Sequence, residues 1–245
     1  MGREEHERAV RFRTARRDPA LTVVEGFHAL KHALRFGAEL VEAVAVDPAS
    51  LEAMAADLAP DLAGRLAERV EPVDKETLAE LVPLVPHTGV AAIARRPAVD
   101  VAAALADPAP TPVVLLEDPR NMGNIGACIR VSAAAGAAAV IARGENDPWH
   151  PDAVRGAAGL QFALPVAKVE ALPASDRPLL AIDPEGEELT PGLVPPRAIL
   201  AFGTERHGLS GEVLEGAEGR VAIPMREGVS SLNLATSVAI VLFFM

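Results

Sequence analysis

The sequence contains no tyrosine, one tryptophan and one cysteine, and aromatic residues make up 3% of it. Each scarcity excludes something. Proteins that grip single-stranded nucleic acid stack bases on aromatic side chains, and this chain cannot build such a platform from so few. One cysteine, Cys128, rules out an internal disulfide framework and fits a reducing compartment. Its small apolar neighbours make it a helix-packing residue rather than a nucleophile. No apolar run reaches the length of a membrane span, because Ser230, Ser231, Asn233, Thr236 and Ser237 interrupt the C-terminal candidate. The N-terminus opens on Arg and Glu without an apolar stretch, so no secretory leader is expected and a cytoplasmic location is.

Excess positive charge is missing as well. The 245 residues carry 23 basic and 34 acidic side chains, net −11, which argues against indiscriminate phosphate binding. Residues 1–98 hold −3 of this (13 basic, 16 acidic) and residues 99–245 hold −8 (10 and 18). A local basic run, Arg8, Arg11, Arg13, Arg16 and Arg17, stands against the trend. Such a run is by default a solvated face, and residues 1–17 read as polar and loosely ordered. Any RNA contact would then rest on arginine–phosphate pairing and shape.

Half of the residues are apolar, and a mean hydropathy of +0.22 allows a sizeable core. In the first part, Leu21 to Glu25 predicts a strand, Gly26 to Phe36 a helix, Leu40 to Val46 a strand and Ser50 to Leu66 a helix. A strand at 69–73, a helix capped by Asp74 and a strand at 90–93 complete an αβ unit. His28 and His32 stand four apart, but with no third ligand nearby they belong on an exposed helix face and no metal is expected. Residues 95–112, rich in Pro and Ala, suit a semi-rigid linker with a short helix at 99–105. The expected division is 1–98, a linker at 99–111, and a second domain at 112–245.

The second domain alternates buried-strand runs with glycine-shaped turns and helices, which predicts a mainly parallel sheet covered on both faces. Ligands of such sheets sit at the carboxyl ends of the strands, here the turns at Asp183, Gly203 and Met225. After the strand 112–116, Asp118-Pro119 breaks the chain and a helix begins at about Asn124, a plausible N-cap. This places Arg130 two turns into a small-residue helix. A cation there either reaches a surface carboxylate or is held over a site.

Three stretches stand in this order along the chain: Asn124-Ile125-Gly126-Ala127-Cys128-Ile129-Arg130, Gly203-Thr204-Glu205-Arg206-His207-Gly208-Leu209, and Ile223-Pro224-Met225 followed by Ser231-Leu232-Asn233. Together they resemble the three motifs of the SpoU/TrmH group of SPOUT-class RNA ribose methyltransferases. Glu25-Gly26 before a helix and His87-Thr88-Gly89-Val90 before a strand resemble, on fewer residues, the small ribosomal-protein-like α/β/α domain that precedes many of these enzymes and grips RNA. The resemblance implies a C-terminal α/β domain tied in a trefoil knot, an exception to the near-absence of knots. It implies S-adenosyl-L-methionine as cofactor, held by Gly203, Ile223, Met225 and Leu232, with Asp183 as a looser part of the same wall. It also implies a homodimer through the C-terminal domain, although relatives continue the last helix beyond the position of Met245.

For catalysis the resemblance points to Arg130, with Asn124, Glu205, Ser231 and Asn233 ordering nucleotide and cofactor. A guanidinium does not deprotonate in proteins, so a clamp on the phosphate beside the target ribose is preferred to a base. Ser231 and Asn233 also read as an N-cap pair for the last helix. The expected activity is 2′-O-ribose methylation of structured RNA, rRNA ahead of tRNA. A catalytically silent RNA-binding or ribosome-assembly factor on the same fold is the alternative, disfavoured by the co-occurrence of Arg130, Glu205, Ser231 and Asn233. A nicotinamide-dependent oxidoreductase fails because no Gly-x-Gly-x-x-Gly opens the helix after Leu116.

Overall fold

The computed structural model describes residues 3–64, 66–204, 207–229 and 231–245, and these form two compact units. The first comprises Met1–Ala98 together with Trp149–Ala163. It begins with helix α1 (Arg3–Ala15), so residues 3–15, expected to be loosely ordered, form a regular helix. Ala9, Phe12 and Ala15 are the reason: at helical spacing they join one apolar cluster with Val23, Val44, Leu78, Leu81 and Ile93. The unit continues through β1 (Leu21–Glu25), α2 (Phe27–Arg35), β2 (Leu40–Ala45), α3 (Pro48–Leu58), β3 (Glu71–Pro72), α4 (Lys75–Leu81) and β4 (Val90–Arg95). Its sheet has the order β1-β4-β2-β3, with β4 antiparallel to both β1 and β2.

Helix α3 ends well short of the predicted Leu66 because Pro60 disfavours helical backbone at Ala59. Asp74 caps α4 as expected, its carboxylate accepting the Thr77 amide at 2.7 Å. His32 is not on a free face: its Nδ1 lies 2.7 Å from the Ala158 carbonyl, and burial holds the imidazole below its usual pKa.

Several further bonds tie residues 149–163 into this unit. Thr22 donates to the Trp149 carbonyl at 2.8 Å, and Arg155 reaches the buried Glu25 carboxylate at 2.8 Å, which also accepts from Arg16. Gly159 has φ 77°, and a Cβ there would lie 2.3 Å from the Ala29 carbonyl oxygen, so only glycine admits this approach.

The second unit comprises Val99–Pro148 and Leu164–Met245. In chain order it holds α5 (Val101–Ala106), β5 (Val113–Glu117), α6 (Met122–Ala134) and β6 (Ala139–Arg143); helix α7 (Pro151–Gly156) belongs to the first unit. Then come β7 (Val166–Val169), β8 (Leu179–Glu188), β9 (Ile199–Phe202), α8 (Gly211–Gly216), β10 (Gly219–Ala222) and α9 (Leu234–Phe244). The six strands pair in the order β10-β8-β9-β5-β6-β7, every pairing parallel. Val113, Leu115, Ile141, Ile199 and Ala201 share one cluster, while the alternating Val114, Leu116, Val140, Leu200 and Phe202 are equally buried. Both faces are therefore covered, which is why the central strands read as unbroken apolar runs.

The C-terminal end of α5 is held by a buried cation. The Arg177 guanidinium donates to the carbonyls of Leu105, Thr111 and Asp107 at 2.7, 2.7 and 2.9 Å, and desolvation lowers its pKa. A positive charge at a helix C-terminus is favourable. Among the described residues, no helix is long and apolar enough to cross a membrane.

Candidate functional site

Strand β8 is where the sheet opens. Its register against β10 jumps: Arg220 faces Ala181, whereas the next residue, Val221, faces Glu187. Residues 182–186 are left to bulge from the pairing, and Asp183 closes that bulge as an Asx turn by accepting the Glu185 amide at 2.9 Å. The predicted strand end at Asp183 is therefore an interruption, since β8 continues to Glu188.

Strand β9 ends at Phe202, and Thr204 and Gly208 then form an antiparallel bridge, with amide–carbonyl bonds of 3.1 and 3.0 Å. A Cβ on Gly203 would lie 2.1 Å from the Gly208 carbonyl carbon and 2.4 Å from the Leu209 amide nitrogen, so the turn closes only over glycine. Beyond it, Ser210 caps α8 and donates through both Oγ and its amide to the buried Glu117 carboxylate, each at 2.7 Å. Arg143 lies 3.8 Å from Glu117 and 2.6 Å from Glu212, and that contact lowers the Glu212 pKa. The end of the glycine turn is thus pinned to the end of β5. Sequence reading missed this brace; Glu117 at a strand end followed by Asp118-Pro119 was the signal.

These features enclose a cleft of about 260 Å³ at the carboxyl ends of the strands. The bulge supplies Ile182, Asp183 and Pro184; the glycine turn supplies Gly203 and Thr204; the chain after β10 supplies Ile223, Met225, Ser231 and Leu232. All five residues expected to contact the cofactor, Asp183, Gly203, Ile223, Met225 and Leu232, therefore line one cleft, and Ser231 joins them. Phe202, Leu234 and Ser237 line it too without having been singled out from the sequence. A mainly apolar slot with a few polar groups suits a flat, partly polar ligand.

Two expected site residues meet beside the cleft. Asn233 caps α9, its Oδ1 accepting the amides of Ala235 and Thr236 at 3.0 and 3.3 Å. Its Nδ2 donates to Asn124 Oδ1 at 3.0 Å, joining α9 to α6. Asn124 itself is not the N-cap of α6. Asn121 is, accepting the Asn124 amide at 2.9 Å, so the helix starts a turn earlier than predicted. A Cβ on Gly123 would sit 3.1 Å from that capping oxygen, which is how a glycine comes to stand in the first turn.

Arg130 stands apart. Six residues beyond Asn124, it is about 9 Å further along the axis and turned by about 120° around it. It is exposed, has no hydrogen-bond or ion-pair partner among the described residues, and does not line the cleft. The surface carboxylate that would explain it away is not there among those residues. Glu205 lies outside the described residues. Among the described residues no group of three or more His, Cys, Asp or Glu side chains is placed to hold a metal ion.

Parallel topology and a strand-end cleft closed by a glycine turn define an α/β domain with a ligand-sized site, preceded along the chain by a four-stranded unit. The chain belongs to the SpoU rRNA methylase family: that family's model matches residues 111–243, and a model of the RNA 2′-O ribose methyltransferase substrate-binding domain matches residues 23–99. The family's enzymes are S-adenosylmethionine-dependent RNA 2′-O-methyltransferases. The chain is 30% identical over 237 residues to the 23S rRNA (adenosine(1067)-2′-O)-methyltransferase of Streptomyces azureus, covering 90% of this chain and 84% of that one. It is 32% identical over 139 residues to an uncharacterized tRNA/rRNA methyltransferase of Synechocystis, covering 53% of this chain and only 51% of the relative. In fold it is similar to the SpoU methyltransferase AviRb of Streptomyces viridochromogenes, solved in complex with AdoMet, with a TM-score of 0.78 and 22% identity over 99% of this chain and 96% of that one.

Proposed function

We propose that this protein transfers a methyl group from S-adenosylmethionine to a ribose 2′-hydroxyl of structured RNA, rRNA ahead of tRNA. The supporting observation is the convergence of Asp183, Gly203, Ile223, Met225 and Leu232 on one strand-end cleft. The donor fits that cleft chemically: Ile223, Leu232 and Phe202 offer apolar surface for a base, and Asp183, Thr204 and Ser231 offer polar groups for a ribose. When bound, it supplies a methyl on a sulfonium whose positive charge is lost on transfer.

The protein's own task is alignment and charge stabilisation. The Asn124–Asn233 bond fixes the N-terminal turn of α6 against that of α9. Ser231 sits where it can order the ribose. Arg130, exposed and uncommitted among the described residues, is the group that can take an incoming phosphate in a bidentate grip and stabilise charge on the 2′-oxygen. Glu205 keeps the ordering role that the motif resemblance assigns to it. The reading includes the family's trefoil knot in the second unit, a cytoplasmic location, and the first unit as the RNA-gripping domain.

Incubating the protein with purified rRNA and tRNA and isotope-labelled donor, then mapping the product, should show one ribose-methylated nucleotide in rRNA. Donor binding by calorimetry without labelling of either pool would instead establish the silent factor.

A homodimer through the second unit is part of the reading. Phe243 and Phe244 of α9 are 66% and 45% exposed, an apolar surface that association would cover. Light scattering at micromolar concentration should give twice the 25.6 kDa chain mass, and a monomer would remove this part.

A further inference from the structure

We propose that the outward face of α1 docks the phosphate backbone of the substrate RNA through Arg13 and Arg17. This rests on the RNA methyltransferase reading above and adds a contact surface to it. Helix α1 precedes residues 23–99, the stretch matched by the substrate-binding model, so that match assigns it no role.

The five arginines of the N-terminal run divide into two groups. Arg8 is buried and bonded to Glu42 and Glu71; Arg11 holds both oxygens of Glu42 at 2.7 and 3.0 Å; Arg16 pairs with Glu25. These three neutralise carboxylates and fasten the helix to its sheet. Arg13 and Arg17 do neither. Both are exposed, and neither has a carboxylate partner among the described residues. Arg13 makes one long bond to its own helix, to the Ala9 carbonyl at 3.3 Å.

The two side chains flank an open groove lined by Val10, Arg13, Thr14, Arg17, Asp18 and Pro19. Positions 10, 13, 14 and 17 have the i, i+3, i+4, i+7 spacing of one helical stripe, and Arg17 lies in the turn that closes the helix. The single acid in the groove, Asp18, spends one carboxylate oxygen on the Ala20 amide at 2.8 Å.

Charge selects the occupant. In a chain of net −11 a polyanion is repelled in general and must be met by uncommitted local cations. Two guanidiniums four residues apart present planar, bidentate donors that match phosphate oxygens. Only Val10 and Pro19 of the lining are apolar residues, against two guanidiniums and one carboxylate, so charge rather than a continuous apolar patch sets what the groove holds. Phe12, at 0% exposure, and the Arg8–Glu42 pair already hold the helix rigid, so docking orders little additional chain.

The test uses the full chain and purified bacterial 23S rRNA as probe. Arg13→Ala/Arg17→Ala should bind on the order of tenfold more weakly at moderate salt, and the slope of log affinity against log salt should fall by about 1.5, as expected for two lost phosphate contacts. Thermal melting and S-adenosylmethionine affinity should not move, since neither side chain is tied to a carboxylate of the described chain. Arg13→Glu/Arg17→Glu should weaken binding further. A double-alanine variant with wild-type affinity and salt slope overturns the proposal alone. So does a variant that keeps its rRNA affinity but no longer associates with intact ribosomal subunits, because the surface would then serve a protein. Wild-type protein that binds cofactor but no RNA overturns the functional reading and this proposal with it.

Discussion

Arg130→Ala is expected to abolish most methyl transfer, by on the order of a hundredfold or more, while S-adenosylmethionine affinity stays near wild type. Loss of one electrostatic contact to the transition state has this size. The split between the two readouts follows from geometry: Arg130 is exposed on α6 and is not among the residues that line the cleft. Without an ion pair to break among the described residues, the variant should also melt like the parent. Arg130→Lys should recover little, because an ammonium cannot reproduce a bidentate fork. Single-turnover rates across pH separate the clamp from a base. A lysine variant near wild-type speed, with a rate that follows one deprotonation, would refute the clamp.

Gly203→Ala should have the complementary effect, a large loss of cofactor binding with the fold retained. The added Cβ would lie 2.1 and 2.2 Å from the carbon and oxygen of Gly208 and 2.4 Å from the Leu209 amide, all backbone atoms with no rotamer to yield. The Thr204–Gly208 bridge must open, and the cleft loses the wall formed by Gly203 and Thr204. Forced overpacking costs about 1–3 kcal/mol; if the whole of it falls on the bound state, affinity drops by about fivefold to 150-fold. Gly216→Ala is the control, since nothing stands within 4 Å of its Cβ position. Calorimetry on both variants decides the matter: unchanged donor affinity in Gly203→Ala would mean that this turn is not the cofactor wall.

Both experiments bear on residues that are legible in the sequence. The three stretches around Asn124, Gly203 and Ile223 are local patterns, each a strand end, a turn and a helix start. Their order along the chain carried the family resemblance, and the parallel sheet followed from unbroken apolar runs at 113–116, 139–142 and 199–202. Local rules also misplaced a detail, the N-cap of α6, which was expected at Asn124 and stands at Asn121. Asn121 and Asn124 both suit an N-cap, and propensity does not choose between them; the bond from the Asn124 amide to Asn121 and the partner that Asn233 offers Asn124 do. The run of five N-terminal arginines read as solvent-facing because its acidic partners, Glu25, Glu42 and Glu71, lie 9 to 63 residues away in sequence.

Sequence alone thus determined the family, the α/β class, and six residues that line the strand-end cleft, Asp183, Gly203, Ile223, Met225, Ser231 and Leu232, because each depends on patterns a few residues long. Tertiary structure alone decided how those residues are held. Long-range pairing placed the bulge at 182–186 opposite β10, tied the glycine turn to Glu117 through Ser210, and folded residues 149–163 into the first unit through Glu25, Thr22 and His32. It also left Arg13, Arg17 and Arg130 without carboxylate partners among the described residues while pairing Arg8, Arg11 and Arg16. Which charges are spent and which stay free depends on neighbours brought together from distant parts of the chain, and no local pattern contains that information.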